Sequence, residues 1–191
     1  MWKKPAPLPA DLNSIKNQKT LRFAENTAAL DKAPEYIFSQ NNPAVKKLHY
    51  GRYGTVGANG CGSVVLYNAL RALGKPVPYP EIIYEMELNH MLRFFGKLGT
   101  SPLRFSRFLR EHGADCEPLY SYSELAKRIG EFKVVIMYMQ YKKSLMRHYF
   151  LIIKKPDGSL ATLNRGNPNG FGSIDLSKPF DGHMLTAYCL K

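Results

Sequence analysis

The sequence predicts an α+β fold in which helices pack on an antiparallel β-sheet. In its first half, apolar residues recur at helical spacing, as between Leu103 and Leu109. The second half changes to short apolar runs rich in Val, Ile and Tyr, which are typical of strands. Helices first and strands second is the order of an α+β protein rather than of an alternating α/β protein.

The chain has 191 residues, which suits one domain with a sizeable core. Three prolines interrupt the first nine residues, and residues 1–45 are too poor in apolar side chains to form a core of their own. We interpret residues 1–45 as an N-terminal arm, partly extended, with one short helix over residues 19–30. The globular domain then spans residues 46–191.

Three helices are predicted in the first half of the globular domain. Residues 63–73 are apolar on nearly every face, which indicates a buried central helix, and Gly74 ends it. Proline in the first turn marks the start of the other two helices, over residues 80–94 and 102–113. Their aromatic side chains are assigned to the core between helices: Phe94, Phe95, Phe105 and Phe108.

The rest of the chain predicts one short helix over residues 123–129 and a set of strands. The segment Pro156-Asp157-Gly158-Ser159 has tight-turn chemistry, so the strands on either side of it should form a hairpin. The predicted strands span residues 115–119, 133–141, 149–154, 160–163 and 184–190.

The chain is basic, with a formal net charge of +12 and a pI of about 9.6. This charge favours acidic partners, but the lysines and arginines are dispersed and never form a block of five. Dispersed cations indicate a solvated basic surface and argue against a nucleic-acid site. No stretch approaches the roughly 18 apolar residues of a membrane span, and no apolar segment follows Met1–Pro5. We expect a protein that is cytoplasmic, or exported without a recognisable signal peptide.

The three cysteines are Cys61, Cys116 and Cys189. An odd number without repeating spacing is not a disulfide framework, and the absence of CxxC spacing argues against structural zinc. The histidines also lack metal-like spacing. We therefore expect neither a metal nor a cofactor, and we interpret Cys116 and Cys189 as core thiols of strands.

Cys61 has a different context. It lies in the turn Gly57-Ala58-Asn59-Gly60-Cys61-Gly62, directly before the predicted central helix. Small neighbours let a substrate backbone approach the sulfur, and the free N–H groups of a helix start favour a thiolate. The same N–H groups are suited to bind the oxyanion that forms after attack on a carbonyl. Cys61 is therefore the candidate nucleophile.

His148 and Asn164 complete a candidate triad. His148 precedes the apolar strand-like run from Tyr149 to Ile153, and Asn164 ends the next run, across the predicted hairpin turn. Because the ends of a hairpin meet, Asn164 should lie beside His148. Its side-chain oxygen would then accept a hydrogen bond from the imidazole and orient the ring toward Cys61.

These residues resemble the papain-like cysteine peptidases, specifically the compact bacterial branch around the bacteriocin-leader-processing (double-glycine) peptidases. The resemblance covers about residues 46–191 and lies in a Cys-Gly at the central helix, a His-aromatic strand, and an Asn after a hairpin. The interval of 87 residues from Cys61 to His148 favours the compact branch, since papain itself has about 130 or more.

The resemblance implies a papain-like fold with Cys61 as nucleophile, His148 as general base and acid, and Asn164 as the orienting residue. It implies a peptide substrate cleaved after small residues, often a glycine pair. The family usually carries a Gln six residues before the cysteine as an oxyanion donor, but Thr55 stands at that position here. The remaining oxyanion candidates are the Asn59 side chain and the Cys61 backbone N–H.

Three alternatives stay open beside a cysteine peptidase. The same fold with catalysis lost would be a peptide-binding module, which the missing Gln favours. The same acyl-enzyme resolved by an amine would make the protein an acyltransferase. A basic nucleic-acid binder would instead use the arginines of the third helix, Arg104, Arg107 and Arg110. The sequence does not specify an oligomeric state.

Overall fold

The computed structural model of the chain describes residues 12–30, 32–142, 146–178 and 182–191. It has an α+β fold, which confirms the predicted class. Short 3-10 turns accompany the helices at Arg93–Gly96, Pro102–Arg104 and Ile129–Glu131. The α-helices are α1 (Leu12–Ala29), α2 (Val56–Asn59), α3 (Cys61–Ala72), α4 (Tyr79–Leu88), α5 (Phe105–Glu111) and α6 (Tyr122–Arg128).

A two-stranded sheet, β1 (His49–Tyr50) with β2 (Gly54–Thr55), stands apart from the main sheet. The main sheet has six antiparallel strands in the order β3-β8-β4-β5-β6-β7. Its strands are β3 (Cys116–Leu119), β4 (Val134–Tyr141), β5 (Arg147–Lys154), β6 (Leu160–Leu163), β7 (Gly172–Ser173) and β8 (Gly182–Leu190). The predicted hairpin is confirmed, because β5 and β6 pair across a turn that Lys155 and Ser159 close with a 2.8 Å backbone hydrogen bond.

Helix α3 is the buried central helix that its apolar sequence predicts. Every residue from Gly62 to Leu70 is buried, and the helix packs on β4 and β5. Alternation along these strands sends Ile136 and Leu151 into the core with α3, whereas Val135 and Ile152 belong to a second core with Leu125 of α6. Both faces of the sheet are therefore covered.

The N-terminal arm contributes to the same core. Its helix is longer than predicted, starting at Leu12, and α1 packs against α4. Ile37 and Val45 are fully buried in the core that α3 forms with the sheet. The Asn68 side chain bonds both backbone groups of Ile37, accepting at 2.9 Å and donating at 2.8 Å. These contacts fix the segment 33–45 beside the sheet, and residues 1–11 of the predicted arm lie outside the described residues.

The predicted helix over residues 80–94 is wrong at its end. Helix α4 stops at Leu88, and the following loop holds His90, Phe94 and Phe95 at positive φ. Phe94 and Phe95 are 65% and 55% exposed, so their assignment to the core is also wrong, although Phe105 and Phe108 are buried there. The helix ends locally: His90 at a φ of 52° follows the C-cap Asn89, and the backbone N–H of Met91 donates to the carbonyl of Met86 at 2.9 Å, as in a Schellman motif. Beyond this end, the backbone at Phe95 and Gly96 packs closely against Gly51 and Gly54.

None of the helices in the described ranges is long and apolar enough to cross a bilayer. No group of three or more potential metal-ligating side chains comes together in the same part of the chain.

Candidate functional site

Cys61 is the first residue of α3, as the turn before it predicts. Gly60 occupies the N-cap position, and the short helix α2 precedes it. The first N–H groups of a helix have no intrahelical acceptor, and the Cys61 side chain lies at this end. Thr55 caps α2 by accepting a 3.4 Å hydrogen bond from the backbone N–H of Ala58. The position six residues before the cysteine thus has a local structural task.

The residue after Cys61, Gly62, lies too close to Thr100 to carry a side chain. A methyl group on Gly62 would lie 2.6 Å from the Cβ of Thr100 and would collide with its hydroxyl. Without a side chain at this position, Thr100 packs directly on the first turn of α3, and its hydroxyl hydrogen-bonds that of Tyr50. This approach places the loop 97–99 beside Cys61.

Cys61 opens into a cavity of about 450 Å³, the cysteine cavity. Its wall combines the start of α3, the loop 97–99, the ends of β4 and β5, and one residue of the arm. The lining residues are Gln40, Ala58, Asn59, Cys61, Lys97, Leu98, Gly99, Tyr141, Met146, Arg147 and His148. Cys61 and His148, 87 residues apart in the chain, therefore face the same space.

His148 lies on β5, and one of its ring nitrogens is held by a hydrogen bond to the backbone. Nε2 lies 2.7 Å from the backbone carbonyl oxygen of Asn164. A carbonyl only accepts, so Nε2 carries the hydrogen, and in the neutral ring Nδ1 has the lone pair. The ring of Tyr141 stacks beside the imidazole at a centroid distance of 6.2 Å. The arrangement leaves Nδ1 as the nitrogen for proton transfer.

Asn164 lies beside His148, but its side chain does not make the expected contact. The side-chain oxygen accepts from the backbone N–H of Gln40 at 3.0 Å, and the side-chain nitrogen donates to the carbonyl of Tyr149 at 3.0 Å. Asn164 adopts a left-handed φ of 59°, which its residue type tolerates better than most. The main chain orients the imidazole, whereas the side chain ties the arm to β5.

Near Cys61, the edge of β5 that faces β6 has backbone groups that the sheet does not pair. Strand β6 pairs only with Leu151–Lys154, so the backbone groups of Tyr149 are not used by the sheet on that side. The carbonyl of Tyr149 receives the Asn164 amide, and its N–H is close enough to Cys61 to lower the pKa of the thiol. Cys61 thus lies beside Tyr149 of β5, the residue next to His148.

The resting pair is neutral. Burial raises the pKa of the Cys61 thiol above its ordinary value of 9.0, and the N–H groups of Tyr149, Gly62 and Cys61 offset part of this rise. Burial lowers the pKa of His148 below 6.5, with an opposing contribution from the Asn164 carbonyl. Between these values the thiol keeps its proton and the imidazole is uncharged. Among the described residues, no hydrogen bond joins the sulfur to the ring.

Of the oxyanion candidates, Asn59 lines the cysteine cavity but is engaged. Its side-chain nitrogen, in the orientation its neighbours favour, donates to the carbonyls of Lys97 (3.2 Å) and Ala58 (3.1 Å). Both amide hydrogens therefore have acceptors, and the side chain anchors the loop 97–99. The backbone N–H of Cys61 remains at the open end of α3.

Gln40 is the site residue that the sequence patterns did not reveal. It comes from the arm, lines the cysteine cavity, and donates from Nε2 to the carbonyl of Gly57 at 2.8 Å. Its Oε1 is buried and has no hydrogen-bond partner in the described part of the chain. The sequence signal was weak, because Gln40 is 21 positions before Cys61 in a polar, loop-like stretch.

A comparison of the sequence with models of known protein families gives no match, and a comparison with curated proteins gives no relative.

Proposed function

We propose that this protein is a thiol hydrolase, a cysteine peptidase of the papain-like type, acting through Cys61, His148 and Asn164. The observation that carries the proposal is the cysteine cavity. One wall holds a thiol at a helix start, and an imidazole with a fixed tautomer lies on the neighbouring strand. Cys189, in contrast, is buried among the apolar side chains of the second core.

Because the resting pair is neutral, His148 acts as a general base at the moment of attack. Binding of the substrate brings Nδ1 within hydrogen-bonding distance of the thiol. Nδ1 takes the proton as Sγ forms a bond to the peptide carbonyl carbon. The imidazolium then gives this proton to the leaving amine as the C–N bond breaks, which leaves a thioester on Cys61. Water, deprotonated by His148, hydrolyses the thioester and restores the thiol.

Each group has a defined task in these reaction steps. The Asn164 carbonyl holds Nε2–H, so only Nδ1 exchanges the proton, and it stabilises the imidazolium. The backbone N–H of Cys61 is one oxyanion donor. Gln40 is the second, because Nε2 carries a further hydrogen that no described residue accepts. It takes the part that the family gives to a residue upstream of the cysteine.

The first test is alkylation of the native protein with iodoacetamide, with the labelled cysteines located by mass spectrometry. We expect Cys61 to react well before the buried Cys116 and Cys189. His148→Ala should slow labelling of Cys61 by roughly 100-fold, the usual contribution of a general base. The matched control is His183→Ala, an exposed histidine on β8 that should leave the rate unchanged. Equal labelling of all three thiols would refute the proposal.

A second test addresses Gln40 and uses turnover of a peptide mixture followed by mass spectrometry. Gln40→Ala should reduce kcat by roughly 100-fold with little change in KM, as expected for loss of one oxyanion donor. Gln18→Ala, on α1 and away from Cys61, should leave both constants unchanged. An effect confined to KM would assign Gln40 to substrate binding instead.

A peptide-binding module is the second candidate, and the raised pKa of Cys61 favours it. In that case Cys61→Ser would retain peptide binding, and the native protein would release no cleaved product. An acyltransferase would form the same thioester but pass the acyl group to an amine. Analysis of products in the presence of an added amine separates aminolysis from hydrolysis.

A further inference from the structure

We infer that the substrates of this protein are acidic, with Asp or Glu side chains next to the bond that Cys61 attacks. The inference rests on the proposed function for its chemistry, but its basis is the charge of the groove around Cys61 and His148.

The cysteine cavity is one half of this groove. A second cavity, of about 340 Å³, lies on the other side of the imidazole and is formed by the arm segment 38–41 and the loop 164–168. Both cavities are lined by Gln40 and His148. They therefore meet at the catalytic base, and an extended substrate lying across His148 would occupy both.

The charged side chains along the groove all have one sign. Lys97 and Arg147 line the cysteine cavity, and Arg165 lines the second cavity. No described residue lining either cavity is Asp or Glu. A peptide carboxylate in the cysteine cavity would therefore meet Lys97 and Arg147, with no described Asp or Glu in the lining.

Three of the eight arginines outside the groove have acidic partners among the described residues. Arg22 pairs with Glu87, Arg107 with Glu111, and Arg128 with Glu117, Glu124 and Glu131. Lys97 and Arg147 form no ion pair with any described carboxylate, and unlike the arginines outside the groove they line the cysteine cavity. Since these two cations lie in a concave site, a bound acid would gain attraction that is screened less than on an open surface.

The groove also accepts apolar contacts. Leu98 and Met146 are exposed at the cysteine cavity. An apolar side chain beside the acidic one would cover them and exclude water. The carbonyl that a thiolate attacks is present in a peptide and absent from a nucleic-acid backbone, which is why we assign the cations to an acidic peptide.

The test compares two small alkylating probes, anionic iodoacetate and neutral iodoacetamide, at Cys61. Both react with the same thiolate, so the ratio of their rates cancels the thiol pKa and reports the local potential. Relative to the same ratio for N-acetylcysteinamide, we expect Cys61 to favour iodoacetate by roughly fivefold, the effect of two cations at moderate distance. The preference should shrink as salt rises.

Charge-reversal variants locate the source of that preference. Lys97→Glu and Arg147→Glu should each reduce the ratio by roughly fivefold, and Lys97→Gln and Arg147→Gln by roughly twofold. Lys127→Glu makes the same change of net charge on α6, on the opposite side of the sheet, and should leave the ratio unchanged. A native ratio equal to that of N-acetylcysteinamide, or an equal effect of Lys127→Glu, would overturn the inference.

This experiment separates the inference from the proposed function. The ratio is measurable whether or not the protein hydrolyses peptides, whereas loss of the His148 dependence of labelling would refute catalysis alone. Where turnover occurs, a mixed peptide library should show Asp and Glu enriched beside the cleaved bonds. Lys97→Glu should weaken that enrichment, and cleavage without acidic preference would contradict the inference while leaving the peptidase intact.

Discussion

The two sides of the cysteine cavity are built by different means. One side consists of α3 and β5, regular elements whose buried residues fix Cys61 and His148. The other side is residues 97–99, the end of the loop 89–99, whose earlier part has non-glycine residues at positive φ and exposed aromatic rings. The first side carries the thiol and the imidazole, and the second carries Lys97 and Leu98.

Close backbone packing holds the loop side in its shape. Phe95 accepts a 3.1 Å hydrogen bond from the backbone N–H of Tyr53, and a methyl group on Gly51 would lie 2.5 Å from the same carbonyl oxygen. Glycines at the contact let the two backbones approach. The loop is thus positioned by contacts of backbone with backbone, whereas α3 and β5 are positioned by their buried side chains.

The largest expected effect is on the loop side, from Gly96→Ala. Gly96 has a φ of 93°, and a methyl group there would collide with the carbonyl of Tyr50. We expect a loss of about 3 kcal/mol or more in the free energy of unfolding, from strain and collision together. Gly158→Ala is the control, since its φ is 82° but the space around it is open, and about 1 kcal/mol should be lost. Equal losses in denaturant titrations would show that packing does not fix the loop.

A smaller effect is expected on the α3–β5 side, from Asn164→Gly. Glycine keeps the left-handed backbone and the carbonyl that holds His148, but removes the side-chain bonds to Gln40 and Tyr149. Stability should fall by about 2 kcal/mol because buried backbone groups lose partners. Labelling of Cys61 should still depend on His148. Loss of that dependence would show that the side chain, not the carbonyl, orients the ring.

The pH dependence of Cys61 labelling tests the neutral pair. The pKa of Cys61 lies above 9.0 and that of His148 below 6.5, so the thiolate fraction should rise continuously through pH 9. Labelling that His148 assists should also fall as the pH drops through the lowered pKa of the imidazole, because the protonated ring no longer accepts the thiol proton. Fast labelling that persists below the pKa of His148 would instead indicate a preformed thiolate–imidazolium pair.

Because its pKa is lowered in the folded state, His148 should also make the protein less stable at acidic pH. The unfolded state takes up the proton first as the pH falls below 6.5, so this contribution is present above pH 6.5 and is lost as the pH falls through the folded pKa. His148→Gln should flatten the stability profile in that acidic range and leave it unchanged above pH 7. An unaltered profile in chemical denaturation would contradict the burial of the imidazole.

The smallest effect is expected from Phe94→Gly on the loop side. Glycine relieves a φ of 47°, and the exposed ring gives up little buried area. The gain, reduced by the greater freedom of glycine in the unfolded chain, should be about 0.5 kcal/mol. Phe94→Ala keeps the strain and should not stabilise. Destabilisation by Phe94→Gly would show that the ring contributes to packing.

The sequence predictions were more accurate for the α3–β5 side of the cysteine cavity than for the loop side. The apolar run after Cys61 and the turn before Ser159 depend on local patterns, so α3 and the β5–β6 hairpin were predicted at nearly their observed bounds. The helix predicted to Phe94 failed, because the chain leaves the helix at His90, a residue at positive φ, and neither glycine nor proline marks that end in the sequence. Hydrophobic periodicity does not record such a turn.

The sequence alone determined the order of helices and strands, the placement of Cys61 at a helix start, and the position of Asn164 beside His148. These follow from local apolar spacing, glycine and proline signals, and the geometry of one hairpin. Only the tertiary structure decided which atom of Asn164 holds the imidazole, that Gln40 enters the cavity, and that Lys97 and Arg147 face it together. The reason is that backbone hydrogen bonds and close approaches between distant segments depend on how the elements pack, which no local pattern encodes.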